Sequence, residues 1–242
     1  MKRNSISAIL SCIVLLISSF CFAACDKNSE ALFIETNNDV LVGHNGEKYE
    51  FLANEGILYY NGKISFEGCV KDETPTFNHL GVEFKNGVYS IDGDSDKNIL
   101  IRYSNSEWFS AYRKASLPEF DFCVDNCNKF EYIPLYQNNN TGLNNTSDNV
   151  ITNKAEIIEF LSDVRNQDNP KEAGLYDLVS DKDGKLINCY RCGTIVGHFE
   201  EEPYLLVCMS VTSYNDLAYS VSISNEEYVL PSEWFHRFCK NT

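Results

Sequence analysis

Ile57-Leu58-Tyr59-Tyr60-Asn61-Gly62-Lys63-Ile64-Ser65-Phe66 sets an Asn-Gly pair between two apolar-rich runs. Asn-Gly accepts the positive φ angles of a type I′ turn, whose twist matches that of paired strands. The pattern recurs on both sides. Asn45-Gly46 separates Val40-Leu41-Val42 from Tyr49-Glu50-Phe51-Leu52, and Asn86-Gly87 separates Val82-Glu83-Phe84-Lys85 from Val88-Tyr89-Ser90-Ile91. Three such pairs between residues 40 and 91 predict an antiparallel meander of hairpins, which Asn98 to Tyr103 continues as a further strand.

Farther along, the segment 137–149 is almost wholly Asn, Thr, Ser, Asp and Gln. It has too little apolar surface to pack and reads as a long loop or linker. Beyond it, Asn153 and Glu156 have the spacing of a capping box, and Ile157, Ile158, Leu161 and Val164 follow at helical spacing up to Pro170. Strands are then expected at Leu175–Val179, Leu186–Arg191, Thr194–Phe199, Tyr204–Val211, Ala218–Ile223 and Tyr228–Leu230, with a turn at Asp183-Gly184. One internal echo links the halves. Ser106-Glu107-Trp108-Phe109-Ser110-Ala111-Tyr112-Arg113-Lys114 parallels Ser232-Glu233-Trp234-Phe235-His236-Arg237-Phe238-Cys239-Lys240, and these hold both tryptophans of the chain, each with an aromatic four residues on. Each is expected to form a short aromatic helix capped by its serine. The expected fold class is α+β: predominantly antiparallel β meander and sheets, with one amphipathic helix and two short aromatic helices. The expected divisions are a β-rich N-terminal half at 38–136, the Asn-rich linker at 137–149 and an α+β C-terminal half at 150–242.

The first residues read as targeting rather than as fold. Lys2 and Arg3 precede an apolar stretch, Ile6 to Phe22, that is shorter than the roughly 20 residues a spanning helix needs. Phe22-Ala23-Ala24-Cys25 closes it. This resembles the lipobox of bacterial lipoproteins, with Phe22 where that pattern usually has Leu. The resemblance implies a signal peptide over 1–24, cleavage before Cys25 and lipid attached to the Cys25 thiol. It further implies an exported protein anchored to the membrane, with residues 25–37 as a polar tether. Asp26 resembles the signal that retains enterobacterial lipoproteins in the inner membrane; without it the outer membrane is the alternative address.

Composition narrows the partners. Cleavage removes Lys2 and Arg3 but no acidic residue, so the formal charge moves from −15 to −17. Such a surface repels nucleic-acid phosphates and anionic headgroups and attracts a basic protein. Seven cysteines besides Cys25 follow in the mature chain, an odd number that cannot all pair within it. Cys189-Tyr190-Arg191-Cys192-Gly193 has the spacing of half a zinc knuckle, with Cys123 and Cys127 or His198 as the nearest further ligands. Asp92-Gly93-Asp94-Ser95-Asp96 has the alternating carboxylates of a calcium loop but lacks its Gly and final Glu, and reads as a turn.

No nucleophile elbow, Ser-x-x-Lys, His-Glu-x-x-His or phosphate loop occurs, and the four histidines are scattered. No cofactor and no catalytic residue is expected. The expectation is a non-enzymatic, protein-binding envelope lipoprotein, an inhibitor or immunity-like protector against a basic partner. The alternatives are a zinc- or thiol-dependent envelope factor using Cys189 and Cys192, and a solute-binding or structural lipoprotein.

Overall fold

In the computed structural model of the chain, residues 33–36, 39–52, 57–71, 76–79, 82–103, 109–135 and 150–239 are described. Cys25, the signal segment, the whole Asn-rich stretch 137–149 and Ser106, Glu107 and Trp108 of the first expected aromatic helix lie outside them. The described chain is dominated by antiparallel strands and divides into two units.

The first unit is built on a seven-stranded sheet. Its strands are β1 (Phe33–Glu35), β2 (Val40–Gly43), β3 (Lys48–Phe51), β5 (Ile64–Gly68), β8 (Gly87–Ile91), β9 (Ile99–Tyr103) and β10 (Phe109–Lys114). Their order is β1-β2-β3-β10-β9-β8-β5. The turn at Asn45-Gly46 joins β2 to β3 as the sequence predicts, with Val40 opposite Glu50 and Gly46 at φ 80°. One face buries Leu41, Tyr49, Val88, Leu100 and Tyr112. Phe33 packs against this cluster, which removes β1 from the expected tether over 25–37. Glu35 fixes the strand further: it pairs with buried Arg102 at 3.0 Å and accepts the Tyr112 hydroxyl at 2.5 Å. A buried guanidinium without that carboxylate would be costly.

The other two Asn-Gly pairs do not make hairpins. β4 (Ile57–Tyr60) pairs with the second unit's sheet, whereas β5, just after Gly62, joins the first. Asn61 is held there by its own polar groups. Its N–H donates to Tyr204 O at 2.8 Å and its amide to Pro203 O at 3.2 Å. At Asn86-Gly87, β7 (Val82–Lys85) pairs with β6 (Thr76–His79), and β8 turns away into the main sheet. Gly87 serves close approach rather than a hairpin: a Cβ there would lie 2.4 Å from Gly68 O. The first aromatic helix is also corrected. Phe109–Lys114 is a strand, paired on one side with β9 and on the other with β3. Two ladders outweigh a helical turn for the same residues.

In the second unit, β11 (Lys129–Pro134), β12 (Val150–Ile151), β13 (Cys189–His198), β14 (Leu205–Tyr214), β15 (Ala218–Ile223) and β16 (Glu226–Leu230) run in the order β12-β11-β13-β14-β15-β16. β4 adds to β14 along Leu205–Cys208. Because β11 precedes the Asn-rich stretch and pairs with β13 after it, that stretch does not separate the two sheets. Helix α1 (Lys154–Arg165) covers one face. Asn153 caps it, accepting from Ala155 N at 2.9 Å. Glu156 does not close the capping box; it pairs with Arg237 at 2.6 Å. The buried stripe is Ile157, Phe160, Leu161 and Val164, and Ile158 points to solvent. Leu175–Val179, expected as a strand, is a short helix, α2, whose Leu175 and Val179 bury together at spacing four. Ser232–Trp234 is helical (α3) and continues in a π turn, Phe235–Cys239, with Pro231 rather than Ser232 at its cap position. Trp234 is buried edge-on against Phe160 and donates its indole N–H to Asp163 at 2.7 Å.

Cys127, Phe130 and Val207 close around Gly197 in this core. A Cβ at Gly197 would meet Cys127 Sγ at 2.6 Å and Val207 Cγ1 at 2.7 Å. Gly197→Ala is expected to lower stability by about 1–3 kcal/mol, read as a lower urea midpoint at an unchanged slope. An unshifted midpoint would mean that this junction has slack.

Candidate functional site

The cysteines singled out by their spacing lie close in sequence but not in space. Cys189 and Cys192 are both in β13, three residues apart on an extended strand, so their side chains take opposite faces. Cys189 packs with Leu175, Val179 and Tyr214. Cys192 sits at a β-bulge between Arg191 and Gly193 and packs against the α1-side core, its thiol donating to Val211 O at 3.4 Å. A knuckle needs two thiolates converging on one ion. Cys123 and Cys127 flank a short turn, Val124–Asn126, and Cys127 is fully buried, its thiol pushed up to about 12 by that burial. Cys208 lies on β14, held up at about 11 by burial, with the positive charge of Arg191 opposing. Cys69, Cys123, Cys127, Cys189, Cys192 and Cys208 carry free thiols, and no group of three metal-ligating side chains gathers among the described residues.

What assembles instead is an apolar surface at one end of the second sheet. Leu178, Leu186, Ile187, Tyr190 and Leu217 are all exposed, Leu217 by 72% and Leu178 by 55%. Backbone bonds gather their segments: Ile187 N to Val179 O at 2.6 Å, and Asn215 N to Asn188 O at 2.9 Å. Leu217 stands in the β14–β15 turn, where Asn215 and Asp216 both have positive φ, 55° and 58°. Asn and Asp adopt that conformation more readily than other residues with a side chain. Asp216 is held in it by three contacts. Its N–H donates to Ser213 Oγ at 3.1 Å, and its carboxylate accepts from Ser213 Oγ and from the Tyr190 hydroxyl. The turn is thus fixed before any partner arrives, which lowers the ordering cost of binding. The segments that carry these side chains also hold Asp177, Asp181, Asp183 and Asp216 against Lys182, Lys185 and Arg191, a small excess of carboxylates. Clustered exposed apolar side chains with a polar rim mark protein-binding surfaces. Sequence reading placed a turn at Asp183-Gly184 but passed over Asn215-Asp216, whose only signal was the tolerance of Asn and Asp for left-handed backbone.

At the opposite end of the same sheet, Glu131 on β11 is buried and receives Lys129 Nζ at 2.8 Å. His198, directly across from Lys129 on β13, brings Nε2 to 3.3 Å from the same carboxylate oxygen without hydrogen-bond geometry. Burial first and the Lys129 charge second hold the imidazole below its usual pKa, and Glu131 only partly offsets them. His198 is therefore neutral in the folded state near neutrality. The unfolded chain takes up a proton there at about pH 6.5, and the folded chain resists it. Stability present above that pH is lost as pH falls through it. His198→Gln is expected to flatten this dependence between pH 7.5 and 5.5 in thermal unfolding; an equal slope in both proteins would remove His198 from it.

Comparison with protein families, with curated proteins and with solved structures finds no match for this chain.

Proposed function

We propose that this chain is an exported bacterial lipoprotein, cut before Cys25 and held at a membrane by lipid on that residue. Its folded part binds a basic protein without catalysing a reaction, as an inhibitor or immunity-type protector does. The observation that carries the binding role is the exposed apolar end of the second sheet, with Leu217 on its pinned turn and a small excess of carboxylates in its segments. A formal charge of −15 over the whole chain favours a basic partner and speeds its encounter. The lipid anchor rests on Phe22-Ala23-Ala24-Cys25 and the apolar segment before it. Within this reading the fold is of the α+β kind, with α1 as its amphipathic helix and one aromatic helical turn at 232–239.

Radioactive palmitate is expected to label the chain in bacterial cells and to be lost in Cys25→Ala. A labelled variant would sink the anchor. The surface is tested separately, with a photo-crosslinking residue in place of Leu217. In intact envelopes it should give one discrete protein adduct, lost when Leu186→Asp and Ile187→Asp are added and reduced by high salt. No adduct, or one indifferent to salt and to both substitutions, would overturn the binding role.

A further inference from the structure

The second sheet has a face that the α1-side core does not use, and hydroxyls line its middle. Arg191 lies opposite Thr212, Thr194 opposite Ser210, and Thr212 opposite Ser220 across β13, β14 and β15. Thr194, Ser210 and Thr212 are half-buried, and Arg191 is exposed. A bulge at Cys192 follows Arg191 directly in the strand. The Arg191 side chain runs back over its own strand: Nε donates to Gly193 O at 3.5 Å and Nη2 to Thr194 Oγ1 at 2.6 Å. Gly193 is required at this bend, since a Cβ there would lie 2.3 Å from the Tyr132 hydroxyl.

The charges on this face are unevenly matched. Glu227 is engaged by the Tyr214 and Ser220 hydroxyls, and Glu131 by Lys129. Arg191 has no carboxylate partner among the described residues, in a chain with 35 acidic and 20 basic side chains. Its Nε and Nη2 are engaged along its own strand, so the Nη1/Nη2 end of the guanidinium is the pair left to meet a carboxylate in two bonds. The Ser210 and Thr212 hydroxyls make no side-chain hydrogen bond among the described residues, and Thr194 can still donate. Neighbouring strands are about 4.8 Å apart, a spacing comparable to that of hydroxyls across a sugar ring.

We infer that this face is a binding site for an acidic saccharide, its carboxylate on Arg191 and its ring hydroxyls on Thr194, Ser210 and Thr212. A monoanion suits it better than a phosphate dianion, because one cation faces the ligand inside a strongly negative field. The site adjoins the apolar end, Arg191 following Tyr190 in β13, but uses other residues and does not depend on the protein-binding role.

The test is titration calorimetry of the full chain in detergent with glucuronate and with an oligogalacturonide, against glucose and acetate as controls. Glucuronate should bind at least about tenfold more tightly than either control, and Arg191→Gln should weaken it by about tenfold or more, the size of one lost charge-assisted contact. Arg191→Lys should recover only part, because it keeps the charge but loses the fork. The double variant Ser210→Ala, Thr212→Val should weaken glucuronate but not acetate, which supplies a test if the Arg191 variants misfold. A tighter oligogalacturonide identifies a polymer as the source of the sugar acid, and equal affinities identify the free acid. Acetate binding equal to glucuronate, glucuronate binding unchanged in Arg191→Gln, or no heat with either uronide would overturn the inference.

Discussion

Strand β14 imposes the constraint on which the second unit depends. It is ten residues long, and β13 runs along one edge from Leu206 to Tyr214. The other edge is shared: β15 takes Val211–Tyr214 and β4 takes Leu205–Cys208. Buried backbone N–H and C=O groups must find partners, and β15 cannot reach the first half of the strand. The chain meets the need with a segment lying more than 140 residues earlier. That choice dictates the crossing at Asn61-Gly62 and ties the order of the sheets to a contact between distant parts of the sequence. Long-range pairing of this kind is slow to form, because its closure entropy is lost before its bonds are gained.

Local patterns were legible where local physics decides. Asn45-Gly46 made its hairpin, Asn153 capped its helix, and the alternation in Ala218–Ile223 fixed a strand with its predicted bounds. The failures share one cause. Asn61-Gly62 and Asn86-Gly87 carry the same turn signal as Asn45-Gly46, yet the strands on their two sides find better partners elsewhere. Phe109–Lys114 belongs to a stretch expected as an aromatic helix, and two neighbouring ladders override that expectation. Leu175 and Val179 satisfy both a strand pattern and one helical turn, and only the packing of Tyr214 beside them selects the turn.

The candidate surfaces were less legible than the fold. Cysteine spacing drew attention to Cys189 and Cys192, but alternation along a strand sends them to opposite faces. Exposed apolar residues such as Leu178, Ile187 and Leu217 look like core residues until the fold leaves them outside. Arg191, in the middle of the suspected knuckle, is notable for what surrounds it, a property that strand register creates. Acidic excess was visible from composition alone; which carboxylates stand near which apolar groups was not.

β1 also has a mechanical meaning. A pull along its axis from the N-terminal side meets the backbone bonds of Phe33 to Cys69 O and to Lys71 N on one edge, the β2 ladder on the other, and the Glu35–Arg102 pair behind them. These bonds lie across the strand, so such a force must shear them together rather than open them one by one. A three-residue strand thus gives the first unit a clamp where the chain enters it, one that shares the load among several bonds at once.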